Sequence, residues 1–270
     1  MKLSTHTNFD IVLYFVAFML IQILVPIIAN SIDPQWTTHS KTLMAVYSAS
    51  SLLTILVFVL ARWTPIRRDY LRSHPWSVLL WSAILALGTI LPSEFLAELI
   101  GEEMPEEMSR VFVQLMQTPW GYLVIGILAP VAEEVVFRGA ILRALLKAIP
   151  QANRHWIAIG TSALLFALVH GNMAQAPHAF LMGLLLGWMY YRTGSIFPGL
   201  VLHWVNNSVA YAVFRLMPGL EDASLIDLLQ GDRTKELLYV GFSFLIILPS
   251  LYQLHLNMKK TNDNIAHEDL

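Results

Sequence analysis

Long blocks of apolar residues, separated by short polar stretches, dominate the chain. A block of about 18 or more apolar residues is long enough to cross a bilayer as a helix. The pattern predicts spans at residues 11–29, 43–60, 78–91, 122–145, 156–169, 179–191, 196–214 and 237–254. The third and sixth are short for a full crossing. We therefore expect an all-α fold, a polytopic transmembrane helical bundle of about eight spans.

The composition supports a membrane protein and excludes several other classes. Of the 270 residues, 56% are hydrophobic and 13% are charged, about half the charged fraction of soluble domains. Because the chain has no cysteine, it has no disulfide, no thiolate nucleophile and no Cys-ligated zinc site. The net charge of −2 lacks the basic surplus expected of a nucleic-acid-binding protein. The expected surroundings are a lipid bilayer, with no nucleic acid.

The distribution of basic residues predicts the orientation. Cytoplasmic loops of membrane proteins are enriched in Lys and Arg. With a cytoplasmic N-terminus and eight spans, twelve of the 17 Lys and Arg residues lie inside and five outside. We therefore expect a multi-pass protein of a bacterial plasma membrane, with both termini cytoplasmic.

The mixed segment 94–116 falls on the outer side in this arrangement. Its interleaved apolar and acidic residues fit a helix lying on the membrane surface. For its role we favour a solvated connector over a substrate gate.

Charged residues inside a spanning helix are costly, so each one suggests a function. Glu133, Glu134 and Arg138 lie in the fourth predicted span, close after Pro130. Glu134 and Arg138 are four residues apart and share a helix face, which favours an ion pair. This pair either orients a site or simply joins helices. Glu133 has no partner in its own helix, and such a carboxylate suits a general base.

Three further polar residues lie in the last part of the bundle. His170 ends the fifth predicted span, while His203 and Asn207 lie four residues apart in the seventh. His203 and Asn207 therefore face the same way, so they either bind a metal, stabilise an oxyanion or form an interhelical hydrogen-bond pair. A lone His170 on an apolar helix is also compatible with a core residue. We interpret His155, His178 and His255 as bystanders, although His178 is close to His170 in sequence.

The combination is more informative than its parts. Two histidines, a glutamate and a water form a known catalytic zinc arrangement. The set Glu133, His170 and His203 is therefore a candidate Zn²⁺ site, although a Glu-activated water without metal also fits. The HExxH motif of zincins is missing, and no aspartate lies within a predicted span.

The pattern resembles the CPBP family of intramembrane peptidases, which comprises CAAX proteases and bacteriocin-processing proteins, is also called Abi, and is related to Rce1-type CAAX endopeptidases. The motifs that carry the resemblance are Glu133-Glu134-x-x-x-Arg138, Phe166-x-x-x-His170 and His203-x-x-x-Asn207, together with the run from Gly183 through Gly187 into the last motif. The resemblance covers residues 120–214. Residues 1–119 (N-terminal helices and linker) and 215–270 (last helix and cytoplasmic tail) complete one membrane domain.

The resemblance implies an endopeptidase that hydrolyses a peptide bond of a membrane-associated protein or peptide. In that reading Glu133 activates the water with His170 beside it. His203 and Asn207 stabilise the oxyanion or help to hold a metal, and Glu134 and Arg138 orient the site. Two alternatives stay open from the residues alone. One is a non-enzymatic membrane immunity or partner-binding protein on the same scaffold. The other is a proton-coupled transporter, which predicts an inverted repeat that the sequence does not display.

Overall fold

The computed structural model describes residues 5–65, 68–118, 120–149, 155–217 and 224–258, so part of the charge count above lies outside the described residues. Within these ranges the chain is helical and contains no strand. The helices are α1 (Thr5–Ile32), α2 (Ser40–Leu60), α3 (Arg68–Arg72), α4 (Trp76–Ile100), α5 (Glu106–Gln117), α6 (residues 123–148), α7 (His155–Leu168), α8 (Ala176–Thr193), α9 (Phe197–Leu216), α10 (Leu225–Leu228) and α11 (Arg233–Asn257). The expected all-α transmembrane bundle is confirmed.

Each of the eight predicted spans coincides with one of these helices. Four helices are long and apolar enough to cross a membrane: Phe9–Ile32, Ser40–Leu60, Trp76–Ile100 and Arg233–Asn257. Many large apolar side chains on their surfaces are exposed, as expected where a protein faces lipid rather than water. The other four are α6, which carries the charged motif, α7, which has 14 residues, and α8 and α9.

The third predicted span is longer than its apolar block indicated. The helix α4 continues through Pro92 and ends at Gly101, which adopts a left-handed conformation with φ of 65°. A proline removes one backbone hydrogen bond without necessarily ending a membrane helix. The span therefore has 25 residues, enough for a full crossing.

The connector 94–116 is mostly helical. Residues up to Ile100 complete α4, and α5 begins at Glu106. Leu115 and Met116 of α5 are buried, and Leu115 joins an apolar cluster with Trp36 and Leu43. Residues 106–117 are thus helical, as the interpretation as a surface helix predicts, and the choice of a connector over a substrate gate stays a prediction.

Helix α6 has π-helical geometry, which is wider than an α-helix, over much of its length. The stretches Leu123–Leu128 and Glu134–Leu142 are π-helical, and Ala129–Glu133 between them is α-helical. In the π-helix each N–H bonds to the carbonyl five residues back, and such turns occur often at functional sites. All nine residues of Glu134–Leu142 are buried, so this stretch lies at the centre of the bundle.

Three side chains from other helices and loops bond to carbonyls of α6. The Asn207 amide donates to the Ile125 carbonyl at 3.1 Å, and the Thr64 hydroxyl donates to the Val135 carbonyl at 2.6 Å. The Ser162 hydroxyl donates to the Phe137 carbonyl at 2.9 Å. These bonds fasten the wide helix to α9, to the loop after α2 and to α7.

Small residues bring α7 and α8 close together, as the Gly183 and Gly187 spacing predicts. A Cβ at Gly183 would lie 2.8 Å from the Cβ of Ala163, and one at Gly187 would lie 2.9 Å from Cγ2 of Ile159. Neither position has room for a side chain. The close approach places the Gly183 carbonyl 3.5 Å from a guanidinium nitrogen of Arg138.

Candidate active site

The predicted ion pair forms at the centre of the bundle. Nη1 of Arg138 donates to Oε1 of Glu134 at 2.9 Å, and the two side chains are 1% and 0% exposed. The guanidinium also lies 4.4 Å from the centre of the Phe166 ring. A fully desolvated carboxylate is tolerated only beside a cation with good hydrogen bonds. Arg138 supplies both the opposite charge and the geometry that fixes Glu134.

His203 lies between the two glutamates. Its Nδ1 is 3.3 Å from Oε1 of Glu134, and its Nε2 is 3.5 Å from Oε2 of Glu133. Glu134 accepts from Arg138 and faces His203 through the same oxygen, so the imidazole is oriented by an anchored carboxylate. With Nδ1–H directed to Glu134, Nε2 faces Glu133 and the open side of the site.

The two glutamates differ in their access to solvent. The Glu134 side chain is fully buried, whereas the Glu133 side chain is 23% exposed. A proton acceptor must reach its substrate or water, and a buried, ion-paired carboxylate cannot. The roles expected from the sequence, Glu133 as a reactive group and Glu134 as an orienting group, agree with this difference in exposure and stay predictions.

Phe166 connects the remaining parts of the site. Its ring is 5.0 Å from the His170 ring and 5.9 Å from the His203 ring, both in edge-to-face arrangements. His170 Nδ1 donates to the Phe166 carbonyl at 2.8 Å. In the neutral ring this bond leaves Nε2 as the nitrogen with the lone pair. His170 is thus held in one orientation, against the same Phe166 ring that His203 contacts.

Asn207 lies one turn beyond His203 on α9, and its amide is already engaged. Nδ2 donates to the Ile125 carbonyl at 3.1 Å, and Oδ1 accepts from Asn206 at 3.3 Å. An amide nitrogen carries two hydrogens, so one remains for another acceptor. Asn207 therefore joins α9 to α6 besides any part that it plays in stabilising an oxyanion.

Two residues that the sequence left outside the site lie within or beside it. His178 lies at the start of α8, at the same end of α7 and α8 as His170. Thr64 is buried against α6, with its hydroxyl on the carbonyl of Val135, next to Glu134. The proximity of His178 to His170 in the sequence was a signal for the first, whereas no local pattern marks the second.

The placement of the histidines bears on the expected metal. Over the described ranges, no three His, Cys, Asp or Glu side chains are arranged to hold a metal ion. Both ring nitrogens of His203 face carboxylates, and Nδ1 of His170 is bonded to a carbonyl. The residues as placed do not fit the three-ligand zinc site of Glu133, His170 and His203.

Comparison with known proteins places this region among membrane proteases. Residues 115–209 match the family described as type II CAAX prenyl endopeptidase Rce1-like. The membrane-embedded CAAX protease MroQ of Staphylococcus aureus (strain USA300) is 27% identical over 147 residues, which are 53% of this chain and 58% of the relative. The alignment thus spans less than two thirds of that protein's length. No solved structure matches the chain.

Proposed function

Since the chain belongs to the CPBP/Rce1-type family of membrane-embedded CAAX proteases through its segment 115–209, we propose that it is an intramembrane endopeptidase. The substrate is a membrane-associated protein or peptide, of CAAX type or resembling a bacteriocin or signal peptide. Glu133 activates the attacking water. The observation that carries this proposal is the position of His203 between a solvent-accessible Glu133 and a buried, Arg138-anchored Glu134.

The first step forms the bond to water. Glu133 accepts a proton from a water molecule, and the water oxygen bonds to the carbonyl carbon of the scissile peptide. The carbonyl electron pair moves onto its oxygen, which becomes an oxyanion. Donors that face a developing oxyanion stabilise it, an effect worth about 3–4 kcal/mol for a single donor. The second amide hydrogen of Asn207 is one candidate donor. His203 is the other when its ring is protonated on both nitrogens, because Nε2 of the neutral ring with Nδ1–H has no hydrogen to donate.

The second step breaks the peptide bond. The tetrahedral intermediate collapses, the C–N bond breaks, and the amide nitrogen leaves as an amine after receiving the proton held by Glu133. His203 Nε2, at 3.5 Å from Glu133, is placed to pass that proton on, while Glu134 supports a positive charge on the ring through Nδ1. His170, which contacts the same Phe166 ring as His203, positions the water or the substrate carbonyl in this proposal.

The test is peptidase activity of the purified full chain in detergent, with wild type compared with Glu133→Gln. We expect cleavage to fall by a factor of about 10²–10⁴, because general-base catalysis contributes that much. The matched control is Glu106→Gln, a change of the same type at an exposed position of helix α5, and this variant should retain activity. Equal cleavage by Glu133→Gln and wild type would remove Glu133 from the proposed role.

The same assay addresses the metal. Zn²⁺ at Glu133, His170 and His203 remains a prediction from the sequence, and a chelator that abolishes wild-type cleavage, with recovery on adding zinc, would support it. Cleavage that persists with a chelator would assign the reaction to a Glu-activated water alone. Absence of cleavage by wild type across a broad peptide library would favour the membrane immunity or partner-binding alternative.

A further inference from the structure

A second row of polar side chains follows α9 beside the row that carries the site residues. The site row contains His203 and Asn207, four residues apart. The second row follows the spacing of one helix face and contains Trp204, Ser208, Tyr211 and Arg215. It is turned by about 100° from the site row around the helix axis. The contacts of the second row therefore determine which way the site row faces.

The far end of the second row bonds to the chain between α5 and α6. Nη1 of Arg215 donates to the Gln117 carbonyl at 2.6 Å, and the Tyr211 hydroxyl donates to the Thr118 carbonyl at 2.6 Å. Both acceptors are backbone groups, so these two bonds hold the end of α9 that is distant from the site.

Nearer the site, three residues form a closed ring of hydrogen bonds. The Trp204 indole N–H donates to the Tyr122 hydroxyl oxygen at 2.8 Å. The Ser208 hydroxyl donates to the Trp204 carbonyl at 2.6 Å, which uses its only hydrogen. Ser208 therefore accepts from the Tyr122 hydroxyl, at 2.9 Å. Each hydroxyl in the ring donates once and accepts once, and connected bonds of this kind strengthen one another.

Tyr122 directly precedes α6, and its side chain lies against the backbone of that helix. A Cβ at Gly126 would lie 2.5 Å from Cε2 of Tyr122, so the ring occupies space that only a glycine leaves. On another side the Tyr122 ring packs against the Tyr211 ring, with 5.4 Å between the ring centres. The hydroxyl of Tyr122 is therefore a fixed point on α6 to which α9 is attached.

The ring of hydrogen bonds adjoins both site residues of α9. Trp204 directly follows His203 in the chain, and Ser208 directly follows Asn207. A rotation of α9 by about 10° would move a side-chain atom 5–6 Å from the helix axis by about 1 Å. A shift of that size is enough to break the contacts of His203 with the two glutamates, at 3.3 and 3.5 Å.

We propose that Tyr122 is a positioning residue: its hydroxyl, through Trp204 and Ser208, holds α9 at the rotation that places His203 between the two glutamates. The effect on the reaction rate rests on the proposed endopeptidase function, whereas the effect on the rotation of α9 does not. Because Tyr122 acts through α9, its loss should lower turnover rather than weaken substrate binding.

The kinetic test uses the full chain in detergent and a fluorogenic peptide that wild type cleaves. Tyr122→Phe removes the hydroxyl, and Gly126→Ala displaces the ring while retaining the hydroxyl. Each should lower kcat by about tenfold to hundredfold with little change in KM, since a misplacement of about 1 Å has effects of this size. The matched control is Tyr239→Phe, because Tyr239 lies on α11 and is 44% exposed.

Ser208 tests whether the three residues act as a unit. Ser208→Ala should lower kcat as Tyr122→Phe does, and Ser208→Thr, which retains the hydroxyl, should recover most of the activity. The double variant of Tyr122→Phe with Ser208→Ala should be no slower than Tyr122→Phe alone, because either change opens the same ring.

The rotation of α9 is measured without cleavage. The chain has no cysteine, so one introduced cysteine is its only thiol. Leu202→Cys and Ala158→Cys place that thiol at fully buried positions of α9 and α7. In the presence of Tyr122→Phe, a membrane-permeant maleimide should label the cysteine at 202 at least several times faster, because α9 is free to turn. The labelling rate at 158 should stay unchanged.

Two results would overturn the proposal. One is wild-type kcat in both Tyr122→Phe and Gly126→Ala. The other is faster labelling at 158 as well as at 202, which would show a general loosening of the fold instead of a turn of α9. If wild type cleaves no peptide, the proposed function is refuted. Faster labelling at 202 alone would then still support the attachment of α9 by Tyr122, and unchanged labelling would overturn that as well.

Discussion

Two charged clusters in this molecule use similar contacts in different surroundings. In the site, Arg138 pairs with Glu134 on its own helix, and His203 approaches from α9. At the junction of α4 and α11, Arg233 pairs with Glu236 on its own helix and with Glu98 of α4 at 2.7 Å. The Arg138 side chain is 1% exposed, whereas the Arg233 side chain is 52% exposed.

The difference in exposure separates a candidate functional site from a contact that only joins two helices. Water compensates Arg233 for the loss of a partner, but the Glu236 side chain is 0% exposed, so only the cation of the outer cluster is in free contact with water. Arg138 and Glu134 have no such compensation, and their burial costs stability unless it has a use. The buried cluster is also the one with a histidine between two carboxylates. The comparison therefore supports a functional role for it beyond joining helices.

The strongest test of the comparison removes the buried cation. Arg138→Met keeps most of the volume but leaves the Glu134 carboxylate buried without a partner, a loss of about 3–5 kcal/mol. Denaturant unfolding of the detergent-solubilised protein measures it. Arg138→Lys should recover little, because an ammonium cannot reproduce the planar contact with both Glu134 and Phe166. If Arg138→Met were as stable as wild type, the ion pair between Arg138 and Glu134 would not be what stabilises the centre of the bundle.

A smaller effect is expected at the hydroxyl that supports α6. Thr64→Val keeps the shape but leaves the buried Val135 carbonyl without its donor, a loss of about 1–3 kcal/mol. Thr64→Ser retains the hydroxyl and should be closer to wild type. Thr38→Val, which removes an exposed hydroxyl bonded to the Gln35 carbonyl, is the matched control. Unfolding and peptidase assays on the three variants check this, and equal losses for Thr64→Val and Thr38→Val would contradict it.

Much of this arrangement follows from the sequence. Charged residues in apolar blocks identified Glu133, Glu134 and Arg138, and a spacing of four residues placed His203 and Asn207 on one face. The π-helical winding of α6 was not predictable, because apolar periodicity does not distinguish it from an α-helix in a segment buried on all sides. The bond from Thr64 joins residues 71 positions apart, and nothing local to Thr64 indicates its partner.

At the outer cluster the expected effect is weaker and depends on salt. Arg233→Lys should be tolerated, in contrast to Arg138→Lys, because half of the Arg233 side chain is in contact with solvent. Arg233→Ala should lower the melting temperature by less than Arg138→Met, because removal of an exposed side chain lets water reach the Glu236 carboxylate, and the difference from wild type should shrink in high salt as the charges are screened. A salt-independent loss as large as that of Arg138→Met would make the two clusters equivalent.

The smallest effect is expected at the exposed pair of Asp33 and His39, 2.9 Å apart in the loop after α1. The hydrogen bond from His39, with a second from the backbone of Gln35, lowers the pKa of Asp33. Its contribution to stability is therefore present above the unfolded pKa of about 3.9 and lost as the pH falls through the lower folded value. Asp33→Asn should remove this part of the loss of stability at acid pH. Melting curves of the variant and of wild type between pH 5 and 2 measure the effect, and identical pH profiles for the two proteins would contradict it.

The bond between Thr64 and Val135 has a consequence for how the chain is divided. The stretch that matches the protease family begins at residue 115. The Val135 carbonyl, directly after its glutamate pair, nevertheless accepts its hydrogen bond from Thr64, which lies about fifty positions before that stretch begins. A fragment that carries only the matched stretch would lose that hydroxyl and the helices α1 and α2. The matched stretch and the foldable unit are therefore different parts of this chain, and a shortened version must include the loop that carries Thr64.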